Sequence, residues 1–238
     1  MNLGANEAIR QIRDFLVAAD VLLIDFDGPI CSVFSGFPAP IVAEQLREIL
    51  EPNSRMLLPI EVQRTDDPFE IYKYASRLGE REAKFIESAL RAHEVEAIET
   101  ASPTPGAHKL ISTWASQGKK VSIVSNNSAE AVESYIFKHG LEAHIALVSS
   151  RSSFDPDELK PNPTLVFNAV EKLGATHSNC IFIGDSSSDM LAGRAAGVRT
   201  IGYANKPGKD LTLVQAGAEI VCHSMLDVET AAQLGATE

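Results

Sequence analysis

The sequence predicts an α/β fold, a parallel sheet covered by helices on both faces, and three observations carry that prediction. Short apolar runs rich in β-branched residues recur at 20–25, 120–125, 180–184 and 199–203. Runs of this length bounded by turn residues read as strands buried on both sides. Segments with helical spacing lie between the later runs, and strand–helix alternation feeds a parallel sheet through right-handed crossovers. The runs at 20–25, 120–125 and 180–184 also end in polar or acidic residues. In open sheets of this kind, ligands bind just beyond the carboxyl ends of the strands. The expected core is therefore Rossmann-like.

Taken in order, residues 6–18 read as an amphipathic helix with Ile9, Ile12, Phe15 and Leu16 on one stripe. The first strand, 20–25, is followed by a stretch of different character. Residues 35–103 show no convincing strand alternation; VAEQLREIL at 42–50 has helical spacing, and 68–98 reads as two or more helices rich in Ala, Glu, Leu and Lys. Gly36, Pro38 and Pro40 mark one junction of this stretch, and Ser102, Pro103, Pro105 and Gly106 mark the other. Two domains are expected: a catalytic core from 1–34 and 104–238, and a small α-helical cap inserted at 35–103, hinged at those junctions.

Beyond the second junction, a helix near 107–117 leads to the strand at 120–125, and a helix near 128–139 to a short strand near 145–149. A loop carrying Lys160 and a helix near 163–173 come next, then the strand at 180–184 and a helix near 188–196. Gly197 suits a helix C-terminal cap before the strand at 199–203, and a last strand near 219–223 completes the series.

Composition narrows the function classes. A chain of 238 residues with 45% hydrophobic and 22% charged residues can bury a substantial globular core. The net charge of −11, with no basic block to offset it, argues against nucleic acid or an anionic membrane as partner. An anionic substrate would need local positive charge, from a metal or a pocket lysine. Cys31, Cys180 and Cys222 are odd in number and follow no metal-ligand spacing, so buried free thiols in a reducing compartment are expected. No signal-like or membrane-spanning stretch is read at the N-terminus, and a cytoplasmic location is expected. The sequence carries no signature of oligomeric state.

Four motifs carry the chemistry. LLIDFDGPI at 22–30 ends an apolar run in Asp25 and Asp27, and residues two apart on an extended chain point to the same side. KVSIVSNNS at 120–128 ends in Ser125, Asn126 and Asn127. LKPNP at 159–163 places Lys160 beside a rigid proline pair. IFIGDSSSDM at 181–190 breaks at Gly184 and delivers Asp185 and Asp189. An acidic pair before glycine could by itself be a solvated turn, and a lone lysine is usually a surface residue. The order DxD, Ser, Lys, GDxxxD over nearly the whole chain resembles the haloacid dehalogenase superfamily, whose members are mostly magnesium-dependent phosphatases.

That resemblance implies an aspartyl-phosphate route for a small phosphorylated metabolite. Asp25 would be the nucleophile, and Asp27 the acid that protonates the leaving alcohol and later the base that activates water. Ser125, the Asn126 amide and Lys160 would bind the phosphoryl oxygens, with Lys160 also pairing Asp25. Magnesium would be held by Asp25, the backbone carbonyl of Asp27 and Asp185; Asp189 would hold a metal-bound water or favour a helix N-terminus. Ser186, Ser187 and Ser188 suit helix-start amides better than chemistry. The chain departs from the usual pattern at Pro29, which removes a backbone donor and stiffens the flap at 29–35.

Three other readings share these motifs. A phosphomutase of the β-phosphoglucomutase type differs in how the cap excludes water. A dehalogenase or phosphonate hydrolase typically lacks an acid two residues after the nucleophile, which Asp27 supplies. A non-catalytic binding module should have lost at least one of Asp25, Asp27, Lys160 or Asp185, and none is missing. Arg64, Lys73 and Arg77 could meet a second anionic group of the substrate, though their spacing equally fits solvated helix faces.

Overall fold

The computed structural model describes residues 3–50 and 58–235. Helix α1 (Leu3–Val17) packs its apolar stripe on the core and leads into β1 (Val21–Ile24), whose four residues are all buried. Strand β2 (Cys31–Ser32) follows a tight turn. Four helices come next: α2 (Ala39–Leu50), α3 (Ile60–Arg64), α4 (Pro68–Leu78) and α5 (Glu80–Ile98). Asp67 caps α4 by accepting from the Phe69 N–H, with Pro68 at the first helical position, where its missing donor costs nothing. Strand β3 (Ser102–Pro103) then returns beside β2 in antiparallel pairing.

The remainder alternates as expected: α6 (Ala107–Ser116), β4 (Lys120–Ser128), α7 (Ala129–Lys138), β5 (Leu147–Arg151), α8 (Thr164–Lys172), β6 (Cys180–Gly184), α9 (Ser187–Ala195) and β7 (Arg199–Tyr203). Helix α10 (Lys209–Ala216) and helix α11 (Met225–Gly235) flank β8 (Ile220–Cys222) and add to the sequence reading, which ended at that strand. The main sheet is parallel throughout, in the order β5-β4-β1-β6-β7-β8. The chain fills one side of β1 and then crosses to the other. That reversal opens a crevice at the carboxyl ends of β1, β4 and β6, the expected ligand position in such sheets.

The short β2–β3 ribbon lies at the two junctions of 35–103, where the sequence predicts only turns. The two junctions run side by side rather than as separate turns: Cys31 pairs with Pro103 and Ser32 with Ser102. Ser35 Oγ donates to Thr100 O at 3.0 Å, tying them again. Proline sits in this ribbon because a two-stranded edge does not need its donor. Helices α2, α4 and α5 bury Val42, Leu46, Ile71, Tyr72, Ile86 and Leu90 in one apolar cluster that also contains Leu23, Val124 and Phe182 of the sheet. The three cysteines are buried and free, and among the described residues no helix is long and apolar enough to cross a membrane.

Candidate active site

The site begins where β1 stops. Asp25 N–H still donates to Ile183 O at 2.8 Å, keeping this residue in the sheet, and then the chain turns sharply. Ile30 N–H and Cys31 N–H both donate to Phe26 O, and Gly28 N–H donates to Cys31 O at 2.6 Å. Pro29 sits in this turn, so the flap it opens closes on itself and continues as β2. Gly28 has φ +104°, and a Cβ there would fall 2.5 Å from Asp185 Cγ. Glycine is therefore required for the β1 and β6 loops to touch. Thr104 Oγ1 donates to Gly28 O at 2.6 Å, which pins the same turn from the far junction.

Lys160 is the hub. Its ammonium donates to Asp25 Oδ1 at 2.7 Å, Asp189 Oδ1 at 2.6 Å and Val124 O at 3.0 Å, so all three protons are used. Asn126 holds the lysine loop in place: its Oδ1 accepts from Lys160 N–H at 2.8 Å and its Nδ2 donates to Lys160 O at 3.1 Å. The Asn126 side chain is thus spent on the lysine backbone, where the sequence reading had its amide facing phosphate. Ser125 is buried at the end of β4, where the register shifts between Ser125 and Ser128. Its hydroxyl donates to Asn127 Oδ1 and accepts from Asn127 N–H, both at 3.1 Å. Ser128, not Ser125, caps α7.

Asp25 Oδ1 accepts from Phe26 N–H at 2.7 Å as well as from Lys160, which leaves Oδ2 without a hydrogen-bond partner. Asp27 points away from that hub; its Oδ1 accepts from Val33 N–H at 2.9 Å. Asp189 is fully buried and already committed on both oxygens. Its Oδ2 closes a capping box with Ser186 at the start of α9 while Oδ1 takes Lys160. A Cβ on Gly184 would meet Asp189 Cβ at 2.3 Å, so this packing also depends on glycine.

Asp185 has partners that no sequence motif announced. Lys209 Nζ donates to its Oδ2 at 2.5 Å and to its backbone O at 2.8 Å, and Asn205 Nδ2 donates to the same Oδ2 at 2.9 Å. Both residues come from the loop after β7 and the first turn of α10. Lys209 follows Gly208 in a stretch that reads as an ordinary surface turn. Only the α10 that the sequence reading lacked brings it to the site.

Electrostatics follow from this crowding. Burial pushes the Asp25 carboxyl well up, and Asp189 adds to the push; Lys160 opposes both. Asp27 is raised to about 6, chiefly by burial, against the Val33 hydrogen bond. Burial works against the Lys160 charge, but Asp189 and Asp25 outweigh it and raise the pKa. Three carboxylates, Asp25, Asp185 and Asp189, face the ammonium groups of Lys160 and Lys209, an excess of negative charge that suits a divalent cation. Oxygens of Asp25, Asp185 and Asp189 lie within 4.8 Å of one another. Hard carboxylate oxygens are the donors magnesium prefers, so the residues fit that ion. Asp25 and Asp185 each keep one carboxylate oxygen without a hydrogen bond for it, whereas Asp189 does not. The Asp27 carboxylate is outside the cluster, which leaves its backbone carbonyl as the atom it can offer.

Of the three cationic residues expected to meet a second anionic group, Lys73 and Arg77, but not Arg64, line a cleft of about 480 Å³ that Ser76, Asp157, Lys160 and Asn162 also line. Lys73 is already paired with Glu70 at 2.8 Å.

Known proteins resemble this chain in sequence and in fold. Residues 37–203 match the haloacid dehalogenase-like hydrolase family, a span that includes Ser125, Lys160, Asp185 and Asp189. The chain is 32% identical over 139 residues to pyrophosphatase PpaX of Halalkalibacterium halodurans, covering 58% of this chain and 61% of that protein. It is 25% identical over 219 residues to the phosphoglycolate phosphatase of Neisseria meningitidis, covering 88% and 87% of the two chains. In fold it resembles a crystal structure of a hydrolase from Pseudomonas syringae, with TM-score 0.66 and 20% identity over 88% of this chain and 96% of that one.

Proposed function

The chain belongs to the haloacid dehalogenase-like hydrolase family, and on that premise we propose that it is a magnesium-dependent phosphatase acting on a small phosphorylated metabolite. The observation that carries the reading is the hub itself: a buried lysine that holds one oxygen of Asp25 and leaves the other free beside two further carboxylates. A nucleophile must be fixed in direction and still have an open oxygen, and Asp25 meets both conditions.

In this reading Asp25 attacks phosphorus and the P–O bond to the leaving group breaks as an aspartyl-phosphate forms. Asp27, raised to about 6, gives its proton to the departing alkoxide. As a carboxylate it then takes a proton from the water that attacks phosphorus, which frees Asp25 and releases phosphate. Lys160 neutralises charge on the phosphoryl oxygens and offsets part of the burial that works against the Asp25 carboxylate. Ser125 turns its hydroxyl from Asn127 to the phosphoryl group. Asp25, Asp185 and the Asp27 carbonyl would hold magnesium, which when bound would supply the positive charge that offsets repulsion between the attacking carboxylate and the substrate dianion. Asp189 acts through Lys160. Segment 35–103 serves as a cap that excludes water and meets the leaving group, with Lys73 and Arg77 nearest the core.

The test is a magnesium-supported screen that includes phosphoglycolate, pyrophosphate and sugar phosphates, with released inorganic phosphate measured. Turnover of at least one substrate should vanish with EDTA, and should fall by about three orders of magnitude or more in Asp25→Asn. Phosphate release that persists in chelator contradicts the metal assignment. Conversion of a sugar 1-phosphate to its 6-phosphate without net release would move the protein to the mutase class.

A further inference from the structure

The pair formed by Lys209 and Asn205 has no part in the chemistry above, yet it grips the acid that the metal reading needs most. Asp185 Oδ2 receives Lys209 Nζ at 2.5 Å and Asn205 Nδ2 at 2.9 Å, while Lys209 also reaches the Asp185 backbone O at 2.8 Å. A donor that bridges the backbone and side-chain oxygens of one residue fixes that side chain's rotation. Asp185 Oδ1 accepts no hydrogen bond, and Gly28 packs against the whole carboxylate from the other side. Asn205 Oδ1 is buried with no hydrogen-bond partner. An orphaned buried acceptor is destabilising, so the amide is held in this orientation by its donation to Asp185.

We infer that Lys209 and Asn205 are positioning residues that reserve Asp185 Oδ2 for the protein and leave Oδ1 aimed at the divalent cation. The inference rests on the metal reading of the site and adds to it the residues that set cation affinity. Outer partners that orient a ligating carboxylate commonly contribute 10–100-fold in metal affinity. Lys209 carries a positive charge near the cation, which taken alone would weaken binding. Its side chain is 29% exposed, however, and solvent screens a charge in that position. Orientation therefore outweighs repulsion, and loss of the lysine lowers affinity.

Isothermal titration of metal-free protein with magnesium chloride tests this without reference to turnover. Lys209→Met and Asn205→Ala should each bind magnesium about 10–100-fold more weakly than the unsubstituted protein, and Lys209→Arg should recover part of the loss. Thermal melts of the metal-free variants provide the structural control. A lower melting temperature with unchanged magnesium affinity in both variants overturns the inference, because the pair would then only brace α10. Tighter binding in Lys209→Met also overturns it, since charge repulsion would be the governing effect. If the unsubstituted protein itself binds no magnesium, the metal reading fails along with the inference. If it binds and the variants match it, the inference alone fails.

Discussion

Among the described residues two buried cations, Arg151 and Lys160, each sit between two carboxylates, and they differ in what surrounds them. Arg151, at the end of β5, is paired through Nη1 with Glu87 and through Nη2 with Glu94 at 2.5 Å, and its Nε donates to Asn126 O at 3.1 Å. Glu94 is saturated further by Asn127 Nδ2 at 3.1 Å and Ser128 N–H at 2.9 Å, and the Tyr72 ring lies 5.5 Å from the guanidinium. Both glutamates come from α5, so this centre fastens the inserted helices to the sheet. Lys160 is paired as closely, but the acids around it are not used up: Asp25 Oδ2 and Asp185 Oδ1 have no hydrogen bond. A centre whose donors and acceptors are matched locks structure. One with spare carboxylate oxygens has room for a cation and a substrate.

Guanidinium and ammonium suit these tasks. Arginine's planar fork spans two carboxylates and a carbonyl at fixed angles, whereas lysine's compact charge can turn toward an incoming phosphoryl group. The centres also touch, because Arg151 holds the carbonyl of Asn126 and Asn126 holds the backbone of Lys160. Position of the inserted helices and aim of the lysine are thereby connected through one asparagine.

The largest effect should come from breaking the locked centre. Arg151→Ala strands two buried glutamates, and removal of one partner from such a cluster costs about 3–5 kcal/mol. Replacing Arg151, Glu87 and Glu94 together by apolar residues of similar volume should cost much less. Chemical denaturation of both variants checks this. If the single and triple replacements prove equally destabilising, the centre contributes through shape, not charge, and the contrast with Lys160 is misdrawn.

A smaller effect should separate the two by their response to cation. Any ligand that binds only the native state raises stability by an amount that grows with the logarithm of one plus the ratio of free ligand to its dissociation constant. Magnesium should therefore raise the melting temperature of the unsubstituted protein. In Lys160→Met the increment should be larger, because the metal then meets the carboxylates without a competing ammonium. In Arg151→Met it should match the unsubstituted protein. Thermal melts across a magnesium series read all three. Equal increments in every variant would mean that Lys160 and the metal do not share one field.

Much of this was legible in the sequence because buried parallel strands read as apolar runs and the polar residues that end them are contiguous. Asp25, Asp27 and Asp185 lie at such ends, whereas Lys160 comes from the loop after β5 and Asp189 from the first turn of α9. What escaped was made by contacts between distant segments. Arg151 meets partners 64 and 57 residues away, and each of the three reads locally as a solvated charge. Helix α10 buries only Leu213 and Ala216 and leaves Leu211 and Val214 exposed, so its sequence has little helical stripe to detect. With α10 unread, Lys209 had no address. The β2–β3 ribbon escaped because strands of two residues are too short to show alternation. Asp189, expected to hold a metal-bound water or to favour a helix N-terminus, makes the capping box of α9 and the bond to Lys160, and one of its oxygens also lies in the acidic cluster with Asp25 and Asp185.

The most direct test of the account is chemical trapping at Asp25. Beryllofluoride bonds to a carboxylate as a mimic of the phosphoryl group, and a crystal of the protein soaked with beryllofluoride and magnesium should show it on Asp25. Lys160 should contact the fluorides and a magnesium ion should lie between Asp25 and Asp185. An adduct on another carboxylate, or a site that binds magnesium and leaves Asp25 unmodified, would contradict the assignment of Asp25 as the nucleophile.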